Sequence, residues 1–199
     1  MTAPGEMAVP RPPGPRTFVY SVGADAEDAK NSRCCRPADP PYLWHSYYVP
    51  DNEGIAAVRD WFDQLPIVVS ETLIGELEAI FETAAAGCTN PSDRDKPIKA
   101  FRRGEQYYEL RHTLDPLIEG VPRQLFRHYH YEPDGEWSTY LVALHAHFKD
   151  VAGDAKQVSD EQTRQMVYAK KRCELGRSQH WNLPCEVENL VDRLLDLDT

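Results

Sequence analysis

Two histidine pairs, His128/His130 and His145/His147, stand in this 199-residue chain close to Arg111, Arg123, Arg127 and Lys149. Successive side chains of a strand point to opposite faces, so each pair presents both imidazoles on one side. With a carboxylate such as Glu132 they could ligate zinc, copper or iron in an oxygenase or hydrolase. The same residues suit a second chemistry. Metal-free RNA cleavage needs a base for the 2′-hydroxyl, an acid for the leaving 5′-oxygen and cations for the charged phosphorane. Three arginines, a lysine and two histidines on one sheet surface would supply all three. The plainest alternative is a basic sheet face that is only solvated surface.

Those side chains need strands to position them. Period-two alternation over Tyr108–Arg111, a run from Arg123 to His130, a turn at Pro133-Asp134-Gly135 and a run over 138–149 predict an antiparallel arrangement. Along the last run, Tyr140, Val142, Leu144, Ala146 and Phe148 fall on one face, expected to be the core. Leu141, Ala143, His145, His147 and Lys149 fall on the other, expected to be a concave open side.

Upstream, residues 43–49 predict a short strand closed by the turn residues 50–54. Ile55, Val58, Trp61, Phe62 and Leu65, then Leu73, Leu77, Ile80, Phe81 and Ala84, recur at helical spacing up to Gly87. They predict a helical hairpin with an acidic outer surface. Downstream, Ser159 and Gln162 have the spacing of a capping box. The helix they start should run to about Leu175 with Met166, Ala169 and Cys173 inward. A last amphipathic helix is expected from Val187, Leu190, Val191, Leu194 and Leu195.

The composition bounds the function. A net charge of −10 argues against indiscriminate nucleic-acid binding, which depends on Lys and Arg neutralising phosphates. Its distribution is uneven: residues 41–92 carry one basic and eight acidic groups, whereas 93–131 carry eight basic and six acidic. The five cysteines lack CxxC spacing and read as free thiols. No apolar run reaches the roughly 18–20 residues of a membrane helix, and no signal-peptide block opens the chain, so a cytoplasmic protein is expected. Residues 1–40 carry seven prolines and few large apolar side chains, and read as a flexible extension.

The segment Val58-Arg-Asp-Trp-Phe-Asp-Gln-Leu-Pro66, the basic Lys99, Arg102 and Arg103, Tyr108-Glu-Leu-Arg111, Arg123-Gln-Leu-Phe, Val142-Ala-Leu-His-Ala-His-Phe-Lys149 and Ala169-Lys-Lys-Arg172 occur in that order. Together, over roughly residues 44–175, they resemble the RelE/HigB superfamily of toxins, including its phage-derived members. The resemblance implies an α+β fold: an N-terminal helical hairpin packed on a small twisted antiparallel sheet, with C-terminal helices. It divides the chain into an extension (1–40), a toxin domain (41–175) and a C-terminal helix (176–199).

It further implies the toxin of a type II toxin-antitoxin system, cleaving mRNA at the ribosome without metal or organic cofactor and neutralised by a helix-turn-helix antitoxin. Carried over by position, Arg111 and Arg123 would contact the scissile phosphate and Lys149 would add charge. Lys99, Arg102, Arg103 and Arg127 would hold the RNA backbone. His145, His147 or Tyr168 would move protons. The acidity, the added termini and the insertion at 113–120 depart from the family pattern. They favour, as an alternative, a toxin-fold binding module of phage or mobile-element origin without catalysis.

Overall fold

The computed structural model describes residues 29–48, 53–90, 99–100, 105–149, 154–183 and 194–195, with side chains omitted at 99–100. It is an α+β fold. Strand β1 (Leu43–Ser46) is followed by helices α1 (Glu53–Asp63) and α2 (Ile67–Ala85), the two-residue strand β2 (Lys99–Ala100), strands β3 (Tyr107–Leu114), β4 (Gln124–Tyr131) and β5 (Tyr140–Phe148), and helix α3 (Ala155–Arg177). The sheet order is β1-β5-β4-β3-β2. The meander β2 to β5 is antiparallel, as the alternation predicts. β1, however, lies parallel to β5, so the sheet is mixed rather than wholly antiparallel. Parallel neighbours cannot be joined by a tight turn, and here α1, α2 and the meander fill the connection.

The apolar spacing that predicts the helices is what they bury. Ile55, Val58 and Phe62 line the inner side of α1, and Leu73, Leu77, Ile80, Phe81 and Ala84 that of α2. With Trp44, Leu110, Leu114, Phe126, Leu141, Ala143 and Ala146 they form one core, in which each fully buried Leu contributes about 1.5–3 kcal/mol. The most extensive backbone contacts of α1 run to β5, and those of α2 to the turn Arg33–Cys35, so each helix is anchored separately and the expected packing of one on the other is not what these contacts show. Gly87, in the left-handed region at φ 71°, ends this helical stretch; a Cβ there would lie 1.8 Å from the Arg36 carbonyl oxygen.

Helix α3 covers the opposite face of the sheet, burying Ala169 and Cys173 against Tyr107, Tyr129, Val142 and Leu144, with Met166 packed beside them. Its cap is not Ser159. Asp154 accepts from the Lys156 and Gln157 backbone N–H groups, and Gln157 reciprocates, so the helix starts earlier and Ser159 lies inside it.

Both faces are therefore covered, and strand β5 divides its side chains in an unexpected way. Ladder partners run Tyr129↔His145 and then His130↔Ala143, which leaves Leu144 as an extra residue. This β-bulge reverses the alternation. Leu141, Ala143, Ala146 and Phe148 meet the core under α1 and α2, whereas Val142, Leu144, His145 and His147 lie on the α3 side. The expected faces, with Tyr140, Val142, Leu144, Ala146 and Phe148 together, hold only in part, because strict alternation cannot register an inserted residue. Arg172 of α3 donates to the Leu144 carbonyl at 2.5 Å, satisfying a group at the bulge.

The extension expected over 1–40 also ends sooner. Ala29, Ser32 and Cys34 are buried, and Cys34 belongs to the main core. Residues 1–28 lie outside the described residues, as does most of the expected last helix. Only Leu194 and Leu195 of that helix are described; both are helical and buried, and the Leu194 carbonyl accepts from Arg59 Nε at 2.8 Å. Among the described residues no helix is long and apolar enough to cross a membrane.

Candidate functional site

Cross-strand neighbours on the α3 side form two adjacent rows. One is Glu109, Tyr129 and His145; the next is Arg111, Arg127 and His147. Lys149 follows on the same side of β5, its backbone N–H bonded to the Leu125 carbonyl. The inner row is buried beneath α3, and the outer end, Arg111 and Lys149, is half-exposed.

The buried part is pinned by hydrogen bonds. Arg127 donates to Glu109 Oε1 at 3.1 Å, an ion pair with side-chain exposures of 10% and 3%. Tyr129 donates its hydroxyl to His147 Nε2 at 3.2 Å, while His147 Nδ1–H donates to the Phe148 carbonyl at 2.9 Å. A carbonyl only accepts, so this histidine is held as the neutral Nδ1–H tautomer. His145 Nε2–H donates to Gln165 Oε1 at 2.5 Å, and Gln165 in turn donates to Glu161 Oε1 at 2.6 Å. The rings of Tyr129, His145 and His147 stack on one another.

Burial sets the protonation. It pulls His145 down to about 3, helped by His147 beside it, and His147 down to about 4 against the opposing pull of its bond to Phe148. Lys149 is lowered by burial and by Arg127, and Arg111 by burial and by Arg127, with Glu109 opposing both shifts. The arrangement is thus a cationic edge built on Arg111, Arg127 and Lys149, backed by one carboxylate and two neutral imidazoles.

The structure brings Arg111, Arg127, His147 and Lys149 together as expected, and disperses other expected members. His145 is fully buried one row inward. Neither histidine lines an open face, nor can either, neutral and buried, donate a proton near pH 7 as the expected acid. Arg123 is exposed and precedes β4, four positions from Arg127. Tyr168 is 44% exposed, on a part of α3 whose Gln165 and Ala169 turn to the sheet instead. Lys99 pairs its backbone with Glu109 at the sheet edge, but its side chain, with Arg102 and Arg103, lies outside the described residues. Glu109, Tyr129 and Gln165 escaped the sequence reading. Glu109 and Tyr129 share strand parity with Arg111 and Arg127, a signal present in the sequence; Gln165 had none.

The histidine pairs do not converge on a metal. His128 and His130 face Trp44, and His128 also Phe81, on the α1 and α2 side, whereas His145 and His147 lie under α3. The sheet separates them. Comparison of the chain with protein-family profiles, curated proteins and solved structures finds no match in any of the three.

Proposed function

We propose that the chain is a phosphate-directed RNA-binding protein acting as a metal-independent endoribonuclease, the toxin of a type II toxin-antitoxin pair. The observation that carries this reading is the convergence of Arg111, Arg127 and Lys149 at one end of the sheet. Arg127 bears on both Arg111 and Lys149 as a like charge, and a bound phosphate relieves that repulsion. The order of strand, two helices, antiparallel meander and helix over residues 43–177 supports the RelE/HigB-like reading of the fold.

In the proposed reaction Arg111 and Arg127 hold the scissile phosphate and stabilise the charge of the phosphorane. The 2′-oxygen attacks phosphorus, the 5′-oxygen leaves, and a 2′,3′-cyclic phosphate remains. Lys149, whose neutral form its surroundings favour, takes the 2′-hydroxyl proton and, as the ammonium, returns it to the leaving 5′-oxygen. Tyr129 and His147 position the arginine row rather than exchange protons with RNA. Ribosomal mRNA as substrate and a helix-turn-helix antitoxin as partner complete the proposal.

A non-catalytic RNA-binding module is the second reading, favoured by the fixed neutral state of both histidines. Purified chain should bind single-stranded RNA and release cyclic-phosphate ends, and its expression without a partner should arrest growth. Lys149→Met should lower cleavage by about 10²–10⁴-fold, the usual share of one acid-base group, with a much smaller loss of binding. Arg111→Ala should weaken both. Binding without cleavage selects the second reading; a wild-type chain that neither binds nor cuts RNA overturns both.

A further inference from the structure

On the opposite side of the sheet, three buried groups of different chemistry point at one another. Cys34 Sγ lies 3.5 Å from His130 Nε2 and 3.9 Å from Glu132 Oε1, and His130 Nε2 lies 3.3 Å from Glu132 Oε1. All three residues are at most 3% exposed. We infer that Cys34, His130 and Glu132 form a structural site for a divalent transition metal, zinc by preference, which fastens the segment before β1 to the end of β4.

The spacing is the first argument. Zinc bonds of about 2.3 Å to sulfur and 2.0–2.2 Å to nitrogen and oxygen, in a tetrahedron, put ligand atoms about 3.3–3.6 Å apart. Two of the three observed separations fall in that range and the third needs a shift of only a few tenths of an ångström.

Hydrogen bonding accounts for the cluster less well. His130 Nε2 carries at most one proton, yet faces a thiol and a carboxylate at once. If it donates to Glu132, the thiol keeps only a 3.9 Å contact to the same oxygen, at the long limit even for a sulfur donor. Charge balance is the third argument. Glu132 is a buried carboxylate, held by the Ser32 hydroxyl at 2.5 Å and the Arg33 backbone N–H at 2.8 Å. A dication bound by one thiolate and one carboxylate makes the centre neutral. The mixed sulfur, nitrogen and oxygen set suits zinc among the abundant metals.

This site is independent of the proposed ribonuclease: it lies across the sheet from Arg111 and Lys149 and takes no part in the reaction. Its test uses tag-free full-length chain, purified under reducing conditions, loaded with Zn²⁺ or Co²⁺ and dialysed. The expected result is one equivalent of zinc per chain. The cobalt form should show a thiolate-to-cobalt charge-transfer band and the strong visible bands of a four-coordinate ion. Cys34→Ser and Glu132→Gln should lose the equivalent and the band, whereas Cys88→Ser and Cys173→Ser should keep both. In the wild-type chain, at a urea concentration that exposes Cys34 to alkylation in the zinc-free protein, zinc should shield it, a readout that survives if the variants fail to fold. A folded wild-type chain that takes up no zinc, shows no thiolate-cobalt band or leaves Cys34 unshielded overturns the inference. So does full binding by Cys34→Ser.

Discussion

His145 and His147 change roles between sequence and structure. As residues of a strand they were expected to serve as acid or base; as residues beneath α3 they are neutral structural groups. Their folded values near 3 and 4 lie below the ordinary 6.5, so between those limits the unfolded chain takes protons that the folded chain refuses. Stability must therefore be intact above about pH 6.5 and fall on acidification, by about 1.4 kcal/mol per pH unit for each histidine. Urea midpoints measured from pH 7 to pH 5 should show that slope, and His145→Gln with His147→Gln should reduce it to the part that buried His128, also held low, contributes. An unchanged slope in the double variant would sink the argument. The pairing itself was legible from their spacing. Their burial was not, because it depends on Leu144: nothing in Ala143-Leu144-His145 marks a bulge, and the bulge arises only in register with Tyr129 and His130.

At the scale of elements, the helical stripes of α1 and α2, the short β1 and the β4–β5 hairpin were all readable from apolar periodicity and the Pro-Asp-Gly turn. Two capping signals compete for the start of α3. Ser159 with Gln162 and Asp154 with Gln157 have the same spacing, and the chain uses the earlier one. Asp154→Ala should cost about 1 kcal/mol, and Ser159→Ala less than about 0.5 kcal/mol, compared by urea denaturation. Equal losses would mean that the reciprocal bonds of Asp154 and Gln157 do not hold the helix start. The parallel placement of β1 was also beyond local patterns, since pairing partners nearly a hundred residues apart leave no signature in either segment.

Over the whole molecule, a net charge of −10 coexists with a cationic end of the sheet. Glu71, Glu76, Glu78 and Glu82 stand on α2, which packs on the face of the sheet opposite α3, so an anionic ligand approaching from the α3 side is shielded from much of their repulsion. The parallel pairing has a further consequence, for synthesis. β1 pairs Leu43 with Tyr140, and among the described residues β5 is the only neighbour of β1 in the sheet. At about 5–20 residues per second, β1 waits about 5–20 s for its partner to be made. During that interval Trp44 and the apolar stripes of both following helices lack the part of their core that β5 supplies, Leu141, Ala143 and Ala146. Chains stalled with residue 139 as the last outside the ribosome should be cut readily by protease at 43–85, and chains exposed past residue 177 should resist. Early resistance would mean that the N-terminal segment is protected without β5. Until β5 emerges, this stretch should be the region of the chain most dependent on chaperones.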